Sequence, residues 1–175
     1  MRAEIYWVTT TGSARLATMP KPRGGEWLED AIRSLREMGV DVLVSTLTDE
    51  EILEEDVSLA DEARYCENNR IEFLRFPVPD HTAPPLDEKL VKFIQELSAR
   101  VASGKDIAIH CRAGLGRSTT IAACLMVSAG INPIRACEMI SAARGFTVPE
   151  TDDQRNLIVR FADRSRDGQI ADEIN

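Results

Sequence analysis

The chain has 175 residues and a formal net charge of −8 at pH 7. At this length we expect one domain spanning residues 1–175, large enough to bury roughly two-thirds of the surface of its unfolded chain. The negative charge argues against general nucleic-acid binding, which needs a basic surface.

The cysteine pattern predicts neither a metal site nor a disulfide framework. Cys66, Cys111, Cys124 and Cys137 are widely spaced without a Cys-x-x-Cys pair, and there are only two histidines. Residues 1–8 lack the apolar core of a signal peptide, and no apolar run reaches the ~18 residues of a membrane span. We therefore expect a cytoplasmic protein with no metal and no membrane span.

Strand and helix patterns alternate along the chain. Strand-like segments cover residues 4–8 and 15–19, around a Thr-Thr-Gly-Ser turn, and then residues 40–44, 71–76 and 107–110. Helical patterns cover residues 59–68, 86–103, 119–129 and 132–143, and others begin near residues 27, 48 and 151. This alternation predicts an α/β fold with a central, mainly parallel sheet flanked by helices on both faces. The polar tail, about residues 165–175, is expected to fray.

Residues 49–62 form an acidic run that contains eight acids and no base. Thr48 and Glu51 have the spacing of a capping box at the start of a short helix. The run is predicted to be a solvated face. The alternative is a surface that repels wrong partners or attracts a basic one.

Residues 107–118, Ile-Ala-Ile-His-Cys-Arg-Ala-Gly-Leu-Gly-Arg-Ser, carry the strongest functional signal. A predicted strand leads into a loop that contains Cys111, Gly114, Gly116 and Arg117, and the loop leads into an apolar helix. Glycines let such a loop curl until its backbone N–H groups converge at the helix N-terminus. Convergent N–H groups form a cradle for a phosphate-like dianion.

The same spacing places a nucleophile beneath the bound anion. At a helix N-terminus beside cations, the pKa of a thiol falls from about 8.5 to roughly 3.5 to 7.5. Arg117 can hold two phosphate oxygens through its planar guanidinium while the loop amides hold the others. Because phosphate monoesters hydrolyse extremely slowly in water, we expect this preorganised cradle to contribute more than activation of the thiol.

The loop has four other interpretations. A dinucleotide fingerprint would need a glycine where Thr119 stands, and a Walker A loop would need a lysine in place of Arg117. A rhodanese-like sulfur carrier also uses a cysteine loop, but usually a shorter one. The remaining interpretation makes Cys111 a buried apolar residue without chemistry.

The segment from His110 to Ser118, His-Cys-x5-Arg-Ser, resembles the signature loop of cysteine-dependent protein tyrosine phosphatases, particularly the small dual-specificity type. The resemblance extends more weakly over residues 15–162. It implies that Cys111 forms a phosphocysteine intermediate and that Ser118 stabilises the thiolate as it leaves. It also implies that His110 orients the loop rather than acting as a base. The implied phosphate-binding residues are Arg112, Ala113, Gly114, Leu115, Gly116 and Arg117.

A proline-rich loop, residues 77–85, contains the candidate general acid. Four prolines exclude a helix or a central strand there. Asp80 lies in this loop, 31 residues before Cys111, and by resemblance matches the acid that protonates the leaving oxygen. A general acid of this kind typically accelerates a reaction by about 10² to 10⁴. The alternatives are an aspartate that only forms a turn, and His81 as the acid.

Two further residues have alternative roles. Gln154 corresponds by resemblance to a glutamine that orients the hydrolytic water, but it also forms a predicted capping box with Thr151. Cys124 is predicted to be a core residue, and the alternative is a redox partner of Cys111.

The resemblance implies a phosphorylated protein substrate that carries phosphotyrosine, or also phosphoserine or phosphothreonine. The chain is shorter than a classical tyrosine-specific domain and lacks a clear tyrosine-recognition loop, which by the same resemblance fits the shallower pocket of the dual-specificity type. Arg112 adds a charge to the loop, as in related phosphoinositide phosphatases, so a phosphoinositide is the alternative substrate; Leu115 weakens that signal. A phosphate-binding pseudophosphatase is the alternative from another class. No cofactor is expected.

Overall fold

The computed structural model describes residues 3–8 and 14–173. The predicted Thr-Thr-Gly-Ser turn lies outside these residues. Within them the chain forms five strands: β1 (Tyr6–Val8), β2 (Leu16–Pro20), β3 (Val42–Ser45), β4 (Glu72–Arg75) and β5 (Ile107–Cys111). After a short 3-10 turn at Gly25–Trp27, the helices are α1 (Leu28–Glu37), α2 (Asp49–Leu53), α3 (Glu62–Asn68), α4 (Glu88–Ala102), α5 (Arg117–Ser128), α6 (Pro133–Arg144) and α7 (Asp152–Glu173).

The five strands form one sheet in the order β1-β2-β5-β3-β4, in which β1 is antiparallel to β2 and the other pairs are parallel. β5 lies at the centre, and the register pairs Cys111 with Pro20 of β2 and His110 with Ser45 of β3. The carboxyl ends of these strands therefore meet at one edge of the sheet. The loops that follow them carry the candidate site residues.

Both faces of the sheet are covered by helices, which confirms the predicted fold class. Alternate side chains of the strands point to opposite faces. Ile107 and Ile109 of β5 pack in one core cluster with residues of α4, α5, α6 and α7, whereas Ala108 packs in a second cluster with residues of α1 and α3. The alternation along β5 thus divides the interior into two cores.

α5 is the central helix of the larger core. Every residue from Arg117 to Val127 is buried, as its apolar composition on all sides predicts. The helix begins at Arg117, two residues before the predicted start at Thr119. Because α5 is enclosed on every side, its N-terminus is held rigidly at the end of β5.

α7 continues to Glu173, past the point at which the polar composition predicts fraying. Its first turns contribute Leu157, Ile158 and Phe161 to the larger core. No helix among residues 3–8 and 14–173 is both long and apolar enough to cross a membrane.

Candidate active site

Cys111 ends β5, and only 3% of its surface is exposed. The backbone N–H of Gly114 donates a hydrogen bond to Sγ at 3.1 Å, and Ser118 Oγ lies 3.4 Å from the same sulfur. The structure therefore brings the predicted thiol, loop amide and hydroxyl together. An N–H and a hydroxyl that face a sulfur can stabilise negative charge on it.

Gly114 is required by the shape of the loop. Its φ is +74°, and a Cβ at this position would lie 2.5 Å from the carbonyl carbon of Met19 and 2.7 Å from the nitrogen of Pro20. Both contacts are with backbone, so neither can move away as a flexible side chain could. The loop and β2 are also joined by a hydrogen bond of 3.1 Å from Lys21 N to Arg112 O.

Arg117 opens α5 with a side chain that is 1% exposed. Its Nη1 and Nη2 contact Glu51 Oε2 and Oε1 at 2.7 and 3.0 Å. Nη1 also donates to the carbonyl of Val78 at 2.9 Å, and Nη2 lies 2.8 Å from Asp80 Oδ1. Nε is buried and has no hydrogen-bond partner among the described residues. The guanidinium is close enough to Cys111 for their charges to interact.

Asp80 reaches the site from the proline-rich loop between β4 and α4. Besides its contact with Arg117, its Oδ1 accepts a hydrogen bond of 3.0 Å from the N–H of His81. Asp80 therefore lies in a turn and at the same time contacts Arg117. His81 is 71% exposed in its side chain, has a φ of +57°, and lies 3.7 Å from carboxylates of both Asp80 and Glu150.

Gln154 forms its predicted capping box and also lies close to the cysteine loop. It forms the capping box with Thr151, through bonds of 3.1 and 3.2 Å. Its Nε2 donates to the carbonyl of Thr82 at 3.0 Å and would lie 2.8 Å from a Cβ placed on Gly116. The amide therefore lies between the proline-rich loop and the cysteine loop, and Gly116 leaves room for it.

His110 supports the cysteine loop from the face of the sheet that packs against α3. Its side chain is fully buried, with Nε2 3.0 Å from Glu62 Oε1 and Nδ1 3.4 Å from the carbonyl oxygen of Cys111. Thr46 donates to the carbonyl of His110 through both its backbone N–H and its hydroxyl. These contacts fit a residue that orients the loop.

A protein-family model described as PTP-SAK, Swiss Army Knife protein, DSP-PTPase phosphatase domain, matches residues 6–161. The chain belongs to this family. The sequence resemblance to cysteine-dependent protein tyrosine phosphatases of the dual-specificity type is thereby confirmed.

Relatives of this DSP-PTPase domain include the cyclin-dependent kinase inhibitor 3 of Rattus norvegicus, which is 32% identical over 90 residues that cover 50% of this chain and 42% of that protein. The putative tyrosine phosphatase 197R of Invertebrate iridescent virus 6 is 29% identical over 143 residues, covering 77% of this chain and 48% of that protein. The chain thus matches less than half the length of these curated relatives. A solved kinase-associated phosphatase with its catalytic-site cysteine changed to serine has a TM-score of 0.83 at 21% identity, covering 95% of this chain and 97% of that chain. This last likeness supports the fold.

The prediction of a solvated face for the acidic run is wrong at two positions of the DSP-PTPase domain. Glu51 and Glu62 are buried, with 8% and 2% of their surface exposed. The predicted capping box at Thr48 is confirmed, but Glu51 also binds Arg117. Burial alone raises the pKa of Glu51, but bonds from Arg117 and the N–H of Thr48 outweigh it, so its pKa lies below the ordinary range.

Arg112 is held at the edge of the loop by carboxylates of the same acidic run. It pairs with Glu54, and lies 3.5 Å from Glu51 and 3.6 Å from Asp56. These contacts raise the pKa of Arg112. Its side chain is 33% exposed, so it is neither freely solvated nor available as an unpaired cation.

Arg144 is a supporting residue that the sequence did not indicate. It is 7% exposed, donates from Nη2 to the carbonyl of Ala113 at 3.2 Å, and places its guanidinium 3.8 Å from the centre of the Tyr6 ring. Burial lowers its pKa. In the sequence Arg144 lies at the end of a predicted helix, directly before Gly145. Basic residues are common at helix ends, so this position carries no functional signal.

Cys124 is fully buried in the larger core, as predicted. Burial raises the pKa of its thiol strongly. A neutral, enclosed thiol is a poor redox partner.

We expect Glu51→Gln to destabilise the domain by roughly 3 kcal/mol at pH 7, because it leaves the buried Arg117 without its bidentate anion. Since the pKa of Glu51 is lowered in the folded state, its stabilisation is complete above the unfolded-state value of about 4.3 and is lost as the pH falls through the folded-state pKa. Urea unfolding should therefore show a difference from wild type that is constant from pH 5 to 7 and shrinks below about pH 4. Glu50→Gln, at the exposed neighbouring position, is the control, and equal effects of the two variants would contradict this role.

Proposed function

We propose that the chain is a protein phosphatase, of tyrosine or dual specificity, which hydrolyses phosphate monoesters through a phosphocysteine intermediate. The observation that carries the proposal is the cluster around one sulfur. Cys111 Sγ faces the Gly114 N–H and the Ser118 hydroxyl, while Arg117 lies close by with a buried Nε that has no partner among the described residues. An oxyanion of phosphorus supplies the acceptors that these donors need.

The first proposed step is an in-line displacement. The Cys111 thiolate attacks phosphorus, a sulfur–phosphorus bond forms, and the bond between phosphorus and the leaving oxygen breaks. Asp80 gives its proton to that oxygen. Arg117 and the backbone amides of residues 112–117 stabilise the charge on the equatorial oxygens.

Asp80 and a phosphate compete for the same cation in this step. Asp80 Oδ1 lies 2.8 Å from Arg117 Nη2, so an arriving dianion displaces the carboxylate from the guanidinium. The exposed fraction of the Asp80 side chain is 42%, against 1% for Arg117, which allows the loop to carry Asp80 toward the leaving oxygen. Arg117 stays fixed by Glu51 and the carbonyl of Val78.

The second proposed step hydrolyses the phosphocysteine. Water attacks phosphorus while Asp80 takes a proton from it, and the sulfur–phosphorus bond breaks. Ser118 stabilises the departing thiolate from 3.4 Å. We assign the orientation of that water to Gln154, whose Nε2 donates to the carbonyl of Thr82 in the proline-rich loop. This chemistry needs no cofactor because the protein supplies nucleophile, acid and cation.

Among substrates, the arrangement of Arg112 favours a phosphorylated protein over a phosphoinositide. A multiply phosphorylated headgroup needs cations beyond those that hold the reacting phosphate. Arg112, the loop cation proposed for that role, already forms ion pairs with Glu51, Glu54 and Asp56.

The pseudophosphatase alternative would be favoured by the loss of a catalytic residue. No such loss is found, because Cys111, Arg117, Ser118 and Asp80 are all present and close together. We place this activity in the cytoplasm.

Cys111→Ser should abolish hydrolysis of p-nitrophenyl phosphate, because a serine hydroxyl is not ionised at neutral pH. The variant should still bind a phosphotyrosine peptide in a fluorescence anisotropy titration, since the cradle remains. Cys137→Ser, at a half-buried cysteine outside the site, is the matched control and should retain full turnover. Full activity of Cys111→Ser would refute covalent catalysis, and an inactive wild type that binds the peptide would support the pseudophosphatase.

Asp80→Asn should slow hydrolysis by about 10² to 10⁴, the usual contribution of a general acid. The loss should be larger for phenyl phosphate than for p-nitrophenyl phosphate, because phenolate is the poorer leaving group and depends more on protonation. Asp163→Asn, on the exposed face of α7, provides the control. An equal loss with both esters would mean that Asp80 does not protonate the leaving oxygen.

In a substrate panel, kcat/KM for phosphotyrosine and phosphothreonine peptides should exceed that for soluble short-chain phosphoinositides by at least about tenfold, equivalent to about 1.4 kcal/mol. The reverse order would favour the lipid alternative.

A further inference from the structure

We propose that Glu150 is a specificity-determining residue, which favours phosphorylated substrates that carry a basic residue next to the phosphorylated one. The inference deepens the proposed function, and rests on it for the assignment of the cysteine loop as the phosphate cradle. Glu150 lies between α6 and α7. It takes no part in the proposed nucleophilic attack or proton transfers.

The carboxylate of Glu150 lies against the cysteine loop. A Cβ placed on Gly116 would be 2.9 Å from Glu150 Oε2 and 2.8 Å from Gln154 Nε2. Gly116 directly precedes α5, and its amide is one of those assigned to the phosphate. A phosphate group in the cradle therefore has this carboxylate beside it.

The backbone on both sides of Glu150 is fixed. Before it, Val148 donates from its N–H to Ser141 Oγ at 3.0 Å, and the same hydroxyl lies 3.3 Å from the carbonyl of Val148. After it, Thr151 forms the capping box with Gln154. The side chain of Glu150 is 41% exposed, so a substrate can reach a carboxylate whose backbone is held in place.

No arginine or lysine neutralises Glu150 among the described ion pairs. Its one partner there is the His81 ring, whose Nδ1 lies 3.7 Å from Oε2, and Nε2 of the same ring lies 3.7 Å from Asp80 Oδ2. Arg117, which also contacts Asp80, is bound at the same time to Glu51. Three carboxylates thus share one guanidinium and one imidazole, so the group stays negative even when the imidazole is protonated.

The start of the cysteine loop also has an excess of acids. Arg112 lies within 3.6 Å of carboxylates of Glu51, Glu54 and Asp56. Lys21 adds a second cation there, with a hydrogen bond of 3.2 Å from Nζ to the carbonyl of Asp56. The three carboxylates outnumber the two cations. Both ends of the loop therefore present negative charge to the residues that flank a bound phosphate.

A groove leads away from Glu150 along the surface, and we assign to it the substrate residues that flank the phosphorylated one. It has a volume of about 800 Å³ and runs between the proline-rich loop and α7, with a lining that includes His81, Pro85, Leu86, Asp153, Leu157 and Arg160. Asp153 belongs to the first turn of α7. Arg160 lies seven residues later, or about 10 Å further along the helix. The acidic end of the groove is thus the end near the cradle.

This arrangement of charges discriminates between substrates. A phosphate dianion and the carboxylate of Glu150 repel each other, whereas an ammonium or guanidinium group beside the phosphate attracts both. An acidic neighbour adds a further repulsion. Complementary charges of this kind steer association and suppress wrong partners. Because Glu150 is partly exposed, the effect is screened by salt.

The experiment uses two phosphotyrosine peptides that differ only in the residues on either side of the phosphotyrosine, which are arginine in one and glutamate in the other. At an ionic strength of about 0.05 M, kcat/KM of the wild-type protein should be about tenfold higher for the arginine peptide. Glu150→Gln should reduce this ratio to about threefold or less, and Glu150→Lys should reduce it further. A change in the chemical step common to both peptides cancels in the ratio.

Three controls separate the charge of Glu150 from a structural effect. Glu150→Asp keeps the carboxylate and should retain most of the preference. Glu138→Gln, at a position of α6 whose side chain is 59% exposed, should retain all of it. Salt at about 0.5 M should largely abolish the wild-type preference. A wild-type ratio near one, or a ratio that Glu150→Gln leaves unchanged, would overturn the inference.

Binding measurements distinguish a failure of the inference from a failure of the proposed function. In a Cys111→Ser background, fluorescence anisotropy should give a lower Kd for the arginine peptide, and Glu150→Gln should reduce the difference. If the wild-type protein hydrolyses neither peptide while this difference in Kd is present, the proposed function fails and the role of Glu150 stands. Turnover of both peptides without a preference refutes the role of Glu150 alone.

Discussion

The ion pair between Arg117 and Glu51 is the interaction on which the arrangement of the site depends. A guanidinium that is 1% exposed is stable in the interior only with anions and carbonyls around it. Glu51 occupies two of its nitrogens, and Val78 fixes one of them further. The direction of the remaining N–H, that of Nε, is thereby fixed by the protein itself. A cation whose position is already fixed does not have to rearrange when negative charge develops beside it, so its attraction can lower an activation barrier directly.

The sheet delivers the partners of this pair to one place. β3 leads to α2 and Glu51, β4 leads to the proline-rich loop and Asp80, and β5 leads to Cys111 and Arg117. All three strands are parallel, so their loops emerge at a common edge. The two cores lie on opposite faces of the sheet and support this edge, through α5 on one face and α3 on the other.

Much of this could be predicted from local patterns. The glycine spacing of residues 111–117, the capping boxes at Thr48 and Thr151, and the apolar composition of α5 each act within a few residues of the chain. The burial of Glu51 and Glu62 could not be predicted in this way. Their partners Arg117 and His110 are distant in sequence, and an acidic run with no base within it has the composition of a solvated face. Arg144 was missed for the same reason, because its partner Ala113 lies 31 residues away.

Gly114 allows the cysteine loop to pack directly against the backbone at the end of β2. The Cβ of any other residue at this position would overlap the peptide between Met19 and Pro20. The path of the cysteine loop is therefore constrained by the position of the end of β2. Mutations that displace the end of β2 would therefore reshape the binding cradle without touching it. Evolutionary change in these two segments is accordingly expected to be correlated, although they are separated by most of the domain.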